Sequence, residues 1–438
     1  MLDIKLIREN PEMVLRNLER RQQPDKITLL NEVIAADKSW RELTGQANKL
    51  RKRRNEVSTE IANLTKQGVD TSILKTEAKE IPNAIKQVEI ELEEKQALVR
   101  NGLMRLPNLL HESVPFGKDD HDNVVIKTWG TPPKFSFSPV SHAEVSQKLG
   151  IVDFDRAAKV SGTGFYYLRN ELALLDYSII RYAIDQLLSK GYSLIEPPYM
   201  IRKSYYEGVT DLSDFENVMY KIEDSENVKD PLYLIATSEH AMGAMLKDEV
   251  LNEEQLPIKM CGVSPCFRRE IGSHGKYTRG IFRVHQFNKI EQFIFCLPEQ
   301  SWELHEELQR NCEELYEGLG LHFRVVNVCT GDIGSIAAKK YDTEAWMADG
   351  EFREVGSNSN CTDYQARRLN ARYRHKEGQA PVGFLHTLNN TALATSRTMI
   401  MIIEQYQQED GSIKVPVILQ KYMNGIKTIE GTLNKMKI

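Results

Sequence analysis

Several protein classes are excluded by what this sequence does not contain. No apolar run approaches the roughly 18 residues needed to cross a bilayer. The opening MLDIKLIREN offers neither an apolar leader core nor an Arg-rich, acid-poor transit segment. The six cysteines, at 261, 266, 296, 312, 329 and 361, form no CxxC pair. That spacing supports neither a zinc site nor a disulfide framework, so reduced thiols and a cytoplasmic location are expected. Neither GxGxxG nor GxxxxGKS/T occurs, which removes the common dinucleotide and P-loop readings. A formal charge of -5 argues against a protein that coats nucleic acid generally; a local basic patch is still allowed.

What remains is a chain of 438 residues, 41% hydrophobic and 27% charged, enough for two or three globular domains. Its first quarter differs from the rest. Residues 28–65 contain no Pro and a single Gly, Gly45. Val33, Trp40, Ala47 and Ile61 recur on one heptad position, with Arg54 as the polar exception. Leu29, Ala36, Leu43, Leu50, Val57 and Leu64 fall on the other. Steps of three and four place both sets on one helix stripe. The segment LTKQGVDTS breaks the pattern, and Leu74, Ala78, Ile81, Ile85, Val88, Leu92, Lys95 and Val99 resume it. Two matched seams around a short turn predict an antiparallel helical hairpin over about 28–101, with Pro82 kinking the second helix or marking a late first turn. At 1.5 Å rise per residue, about 35 residues give an arm of roughly 50 Å.

The first helix carries a dense basic run: Lys49, Arg51, Lys52, Arg53 and Arg54. It is either a solvated helix face or a stripe that grips phosphates. A protruding rod in an acidic chain favours contact with nucleic acid.

Pro, Gly and Asp clusters in PNLLHESVPFGKDDHDN and WGTPPKF interrupt periodicity, predicting a linker over 111–134 between an N-terminal domain, 1–110, and a larger one, 135–438. In the larger part, residues 171–190 and 302–319 read as helices. Residues 233–236, 281–284, 292–296 and 323–328 read as strands. Strands and helices do not alternate regularly, so an α+β domain with an antiparallel sheet is expected. The tail KTIEGTLNKMKI reads as a loosely packed terminus.

Residues 267–293, FRREIGSHGKYTRGIFRVHQFNKIEQF, concentrate the chemistry. Two short strands around a loop punctuated by Gly272, Gly275 and Gly280 would put alternate side chains on one face. Arg268 and Arg283 then suit phosphates, and Phe287 suits stacking on a base. Taken alone, the segment is equally a charged surface hairpin.

FRRE followed by TRGIFRVHQFNKIEQF resembles the second signature motif of class II aminoacyl-tRNA synthetases, in the form seen in seryl-tRNA synthetases. Leu188-Ser-Lys-Gly-Tyr-Ser-Leu-Ile-Glu-Pro-Pro198 resembles the first motif, a helix and strand at a dimer interface. Thr237-Ser-Glu239 resembles the TxE triplet that contacts serine. Glu354-Val-Gly-Ser-Asn-Ser-Asn-Cys-Thr-Asp-Tyr-Gln-Ala-Arg-Arg368 is similar to a stretch of the seryl branch, and His386-Thr-Leu-Asn-Asn-Thr-Ala-Leu-Ala-Thr-Ser-Arg397 resembles the third motif. The predicted arm fits as well, since that family carries one to hold the long variable arm of its tRNA.

The resemblance implies a ligase that activates L-serine with ATP and loads it on tRNA(Ser), and leaves open whether tRNA(Sec) is also charged. By position, Arg268 would bind the α-phosphate of ATP, and Arg283 and Arg397 the β- and γ-phosphates. Glu270 and Phe287 would hold adenine, with Arg269, Val284, Val355 and Gly356 completing the nucleotide site. Glu354 and Ser357 would ligate Mg²⁺. Thr237, Ser238 and Glu239 would hold the amino end of serine; Glu291, helped by Asn389 and Thr391, would take its hydroxyl. Arg268, Arg397 and Glu354 would be the catalytic set. The run from Lys49 to Arg54 would bind tRNA. The family is homodimeric, and no zinc is expected. His240, His274, His285 and His386 lie near these motifs and read as hydrogen-bonded structure.

Rival readings are a relative that loads a carrier protein, an inactive RNA-binding paralogue, and a coiled-coil interaction protein. Such carrier-loading relatives lack the long arm, and an inactive paralogue would be marked by loss of Arg268, Glu291, Glu354 or Arg397, all present here.

Overall fold

A computed structural model describes residues 1–210, 217–223, 229–270 and 280–431. Gly272, His274 and Gly275 of the sequence reading lie outside them. The chain divides into two compact units, Met1–Pro107 and Asn108–Ile438.

The first unit is all helical: α1 (Ile4–Glu9), α2 (Pro11–Arg20), α3 (Pro24–Lys66) and α4 (Ser72–Arg105). Asp3 caps α1 by accepting from the Lys5 amide, and prolines open α2 and α3, where their missing N–H is not needed. The long hairpin of α3 and α4 packs along the expected seams: Val33, Ala47 and Val57 on one side and Ile81 and Ile85 on the other are buried, while Arg54 is exposed. Gly102 allows close approach of the two helices, since a Cβ there would sit 2.2 Å from the Val33 Cγ2. Pro82 neither ends α4 nor lies in its first turn; the helix begins ten residues earlier and runs on through it.

The second unit is built on one eight-stranded sheet. Its strands are β1 (Val124–Trp129), β2 (Ser193–Ile195), β3 (Ile258–Phe267), β4 (Gln286–Cys296), β5 (Phe323–Asn327), β6 (Lys339–Trp346), β7 (Phe352–Asn360) and β8 (His386–Ala394), in the spatial order β1-β5-β6-β7-β8-β4-β3-β2. All neighbours are antiparallel except β2 and β3. The helices α5 (Asn170–Ser189), α6 (Ser301–Gly318) and α7 (Thr395–Gln405) help build its main core. The period of two is visible along β4. Ile290, Ile294 and Cys296 enter the main core, whereas Phe293 and Phe295 enter a second cluster with Met242, Leu369 and Leu385.

Three expectations are corrected. Residues 111–134 are not a bare linker: they supply the edge strand β1, and Thr330 Oγ1 donates to the Gly117 carbonyl at 3.1 Å. Polar, turn-rich composition hid a strand whose apolar residues are exposed at a sheet edge. Residues 281–284 are bends preceding β4, although Ile281 and Val284 are buried like strand residues. Of the tail, residues 427–431 are described: Thr428–Ile429 pairs with Ile413–Lys414 and Ile429 is fully buried, while 432–438 lie outside the described residues. Residues 233–236 contribute a strand, Leu232–Leu234, in a small ribbon with Met200–Arg202 and not in the main sheet.

Candidate active site

The alternation that divides the two cores also aims Lys289 and Glu291 at the face of the sheet opposite α6. A bulge in β8 between Thr391 and Leu393 keeps Thr391 opposite Glu291. The Thr391 hydroxyl donates to Glu291 Oε2 at 3.2 Å. The Lys289 ammonium lies 2.6 Å from the same oxygen and 3.4 Å from Thr391 Oγ1. All three side chains are buried. Gly356 of β7 makes room for this strand pair: a Cβ there would meet the Thr391 carbonyl oxygen at 3.1 Å.

A second carboxylate faces the same space from the short helix Ser238–Ala244. Thr237 caps that helix by accepting from the Glu239 amide at 3.1 Å, which fixes the start of the Glu239 side chain. Glu239 accepts from Gln365 Nε2 at 3.3 Å and Asn389 Nδ2 at 3.2 Å. Burial, with Glu291 nearby, pushes its carboxyl up to about 7. The buried Ser238 hydroxyl has no hydrogen-bond partner among the described residues. Gly262, opposite Glu291 on β3, lies beneath it: a Cβ there would stand 2.9 Å from Ser238 Oγ. Thr237, Ser238, Glu239, Glu291, Asn389 and Thr391 therefore converge on one polar pocket, and Lys289 and Gln365 belong with them.

The other half of the site is cationic. The Arg268 guanidinium lies 5.2 Å over the ring of Phe287, and its Nε donates to the Ala236 carbonyl at 3.4 Å. Glu270, in left-handed backbone at φ +43°, pairs with Arg283 at 3.4 Å. Arg397, in the first turn of α7, donates to the Glu354 carbonyl at 2.9 Å and lies over Phe282. Ser357 Oγ donates to Glu354 at 3.3 Å. Desolvation works against ionisation of Glu354, but Lys340, Arg397 and Arg268 outweigh it and hold the carboxyl at about 2. Val284 and Val355 bury their side chains in the core, leaving only their backbone for a ligand. Arg269 is exposed, and its amide donates to the Val218 carbonyl.

Sequence reasoning missed Asp342 and Lys340 here. On β6, Asp342 pairs in register with Ser357, and Lys340 Nζ lies 3.0 Å from Asp342 Oδ2. Asp342 Oδ1 is buried without a hydrogen-bond partner among the described residues. Burial pushes this carboxyl up to about 7. The histidines are bonded as expected where described: His240 Nδ1 meets Tyr206 OH at 2.7 Å, His285 Nδ1 meets Tyr220 OH at 2.6 Å, and His386 Nδ1 meets Ser301 Oγ at 3.0 Å. Burial drives His240 down to about 3, so it is neutral at physiological pH.

In the helical unit, the basic run divides. Arg53 makes a two-pronged pair with Glu77 of α4, at 2.7 and 2.9 Å, and Arg51 meets Glu89 at 2.7 Å. Lys52 has only a loose pair with Glu56, at 3.8 Å. Lys49 and Arg54 are exposed, with no ion pair among the described residues.

Known proteins show the same two parts. A model of the seryl-tRNA synthetase N-terminal domain matches residues 1–110. A model of the tRNA synthetase class II core domain (G, H, P, S and T) matches residues 220–406. A serine–tRNA ligase of Methanocorpusculum labreanum is 55% identical over 428 residues, covering 98% of this chain and 100% of the relative. The crystal structure of seryl-tRNA synthetase from Pyrococcus horikoshii complexed with ATP superposes with a TM-score of 0.93 at 47% identity, covering 98% of this chain and 99% of that one. The cytoplasmic serine–tRNA ligase of Naegleria fowleri, in complex with AMP, gives 0.89 at 35% identity over 99% of each chain.

Proposed function

The chain belongs to the seryl-tRNA synthetase family, and from that premise we propose how its residues divide the reaction. The enzyme joins serine to ATP, releasing pyrophosphate, and then transfers serine from the adenylate to the 3′ end of tRNA. The observation that carries the assignment is the pairing of a two-carboxylate pocket, its Glu291 buried and its Glu239 half-buried, with an adjoining cluster of Arg268, Arg397 and Glu354.

In this reading Glu239 takes the ammonium of serine, with Thr237 fixing its helix, and Glu291 and Thr391 take the hydroxyl. The serine carboxylate attacks the α-phosphorus, and pyrophosphate leaves. That step needs alignment and neutralised charge more than a protein nucleophile, so no covalent enzyme intermediate forms. Arg268 neutralises charge at the α-phosphate; Arg283 and Arg397 hold the leaving phosphates. Arg268 over Phe287, and Glu270 on Arg283, are the resting partners that ATP displaces. Mg²⁺ suits Glu354 and Ser357, an all-oxygen donor set beside the unpartnered Asp342 Oδ1. When bound, the ion adds positive charge against the phosphates.

Selectivity follows from burial. Alanine or glycine would leave Glu291 and Thr391 without the substrate hydroxyl, which costs far more than the missing contact area. Threonine is excluded by lack of room for its methyl group. The exposed cations of the arm face tRNA(Ser), and the enzyme works in the cytoplasm as a homodimer. Among the described residues, no helix is long and apolar enough to cross a membrane.

The test is ATP–pyrophosphate exchange with each amino acid in turn, followed by charging of purified tRNAs. Exchange with serine alone and charging of tRNA(Ser) are expected. Exchange that prefers another amino acid, or serine-dependent exchange without charging, refutes the assignment.

A further inference from the structure

Lys289 is a buried cation to which the proposed reaction gives no task. It is 5% exposed, inside the pocket that selects the amino acid. Burying an ammonium is unfavourable, and an apolar residue of similar length is tolerated as well or better at most such places. Its position within the pocket supplies a reason.

Among the described residues, the contacts to the Glu291 carboxylate, from Lys289 at 2.6 Å and Thr391 at 3.2 Å, both fall on Oε2. No hydrogen bond among the described residues reaches Oε1. One oxygen is thus clamped and the other left over. The second carboxylate, Glu239, is held by two neutral amides, Gln365 and Asn389. Two carboxylates sharing a pocket tend to compete for one proton. The cation is bonded to only one of them.

Building on the assignment of Glu291 to the serine hydroxyl, we propose that Lys289 is a positioning residue for substrate selection. It holds the Glu291 carboxylate by Oε2 and turned so that Oε1 accepts the serine hydroxyl, and it leaves Glu239 as the carboxylate available to the serine ammonium. Other charged or titratable groups around this pair are His240 beside Glu239, Arg268 at the end of β3, the buried thiols of Cys266 and Cys312, and Cys361, whose thiol accepts from Asn389 at 3.8 Å. Without Lys289, the Glu291 carboxylate loses the cation that fixes Oε2 and is free to turn. A turned Glu291 no longer presents Oε1 to the serine hydroxyl, and the two ends of the substrate lose their distinct anchors.

The experiment is serine-dependent pyrophosphate exchange for wild type, K289M, E291Q and the double variant K289M/E291Q. K289M is expected to raise the KM for serine by about tenfold or more while changing the KM for ATP by less than about twofold. In the E291Q background, removing Lys289 should add little, since it acts through Glu291. An equal rise in the KM for ATP, or a loss as large in the E291Q background as in wild type, overturns the proposal. K289Q carries the same comparison if K289M does not fold. A wild-type enzyme inactive with serine would instead refute the parent assignment, so the two failures are distinguishable.

Discussion

The division of the basic run on α3 makes a quantitative prediction about tRNA binding. Lys49, Lys52 and Arg54 are exposed and nearly unpaired, whereas Arg51 and Arg53 already spend their charge on Glu89 and Glu77 of α4. If the first three contact phosphates, replacing all three with alanine removes three counterion-releasing contacts. Each contributes about 0.7 to 0.9 to the slope of log affinity against log salt. The triple variant should therefore lose about two to three units of slope, with its largest affinity loss at low salt. Replacing Arg51 and Arg53 should change the slope much less, because each is neutralised by its partner, and should instead loosen the hairpin. The assay is filter binding of purified tRNA across a salt series, with pyrophosphate exchange as the control. Exchange should be unchanged in both variants. Equal slope changes in the two variants would refute the reasoning, since the cross-helix pairs would then be open to phosphate. A collapse of exchange in the triple variant would refute the separation of arm from catalytic unit.

Three further outcomes follow from the pocket. Burial and the nearby Glu291 push the Glu239 carboxyl up to about 7, and it must be ionised to hold an ammonium, so the apparent KM for serine should fall as pH rises through that value and then level off; a KM that rises over the same window contradicts the role. R268A should cut the rate of adenylate formation by about 10²–10³-fold with an unchanged melting curve, and pre-steady-state pyrophosphate release measures it. T391V removes a donor to Glu291 at nearly constant volume, so kcat/KM for serine should fall by about tenfold. Discrimination against alanine should shrink by a similar factor, measured by exchange with both amino acids; an undiminished preference for serine would show that Thr391 is only packing.

How much of this was legible in the sequence depended on the range of the interaction. The hairpin was readable because its packing is local: a seven-residue repeat buries Val33, Ala47, Val57, Ile81 and Ile85 whatever follows. Helices α5 and α6 were readable within a residue or two for the same reason. The edge strand β1 was not, because exposed apolar residues amid Pro, Gly and Asp carry no burial pattern. Residues 281–284 misled in the opposite sense, since buried apolar residues look alike in strands and in bends. Within the site, a family resemblance supplied the roles of Arg268, Glu291 and Arg397, but it supplied no partners. That Arg53 belongs to Glu77 depends on a pairing 24 residues away. That Asp342 stands beside Ser357 depends on the register of β6 with β7, which no local pattern encodes.

Lys289 falls between these cases, and it shows why charge has to be read together with register. Two residues before Glu291 on one strand, it was bound to share that residue's face. What the alternation alone could not show is that the face is buried, and that β8 brings Thr391 and Asn389 against it while the helix Ser238–Ala244 brings Glu239. Once those are in place the charges no longer look interchangeable. One carboxylate is fixed by a lysine and a hydroxyl through a single oxygen; the other is held by two amides, its carboxyl pushed up by burial and by Glu291. A substrate carrying both an ammonium and a hydroxyl meets a distinct partner for each, and one lacking the hydroxyl leaves the fixed carboxylate unanswered. The asymmetry that Lys289 imposes on two otherwise similar acids is thus what gives the pocket a direction, and direction is what a site must have to place the serine carboxylate toward Arg268.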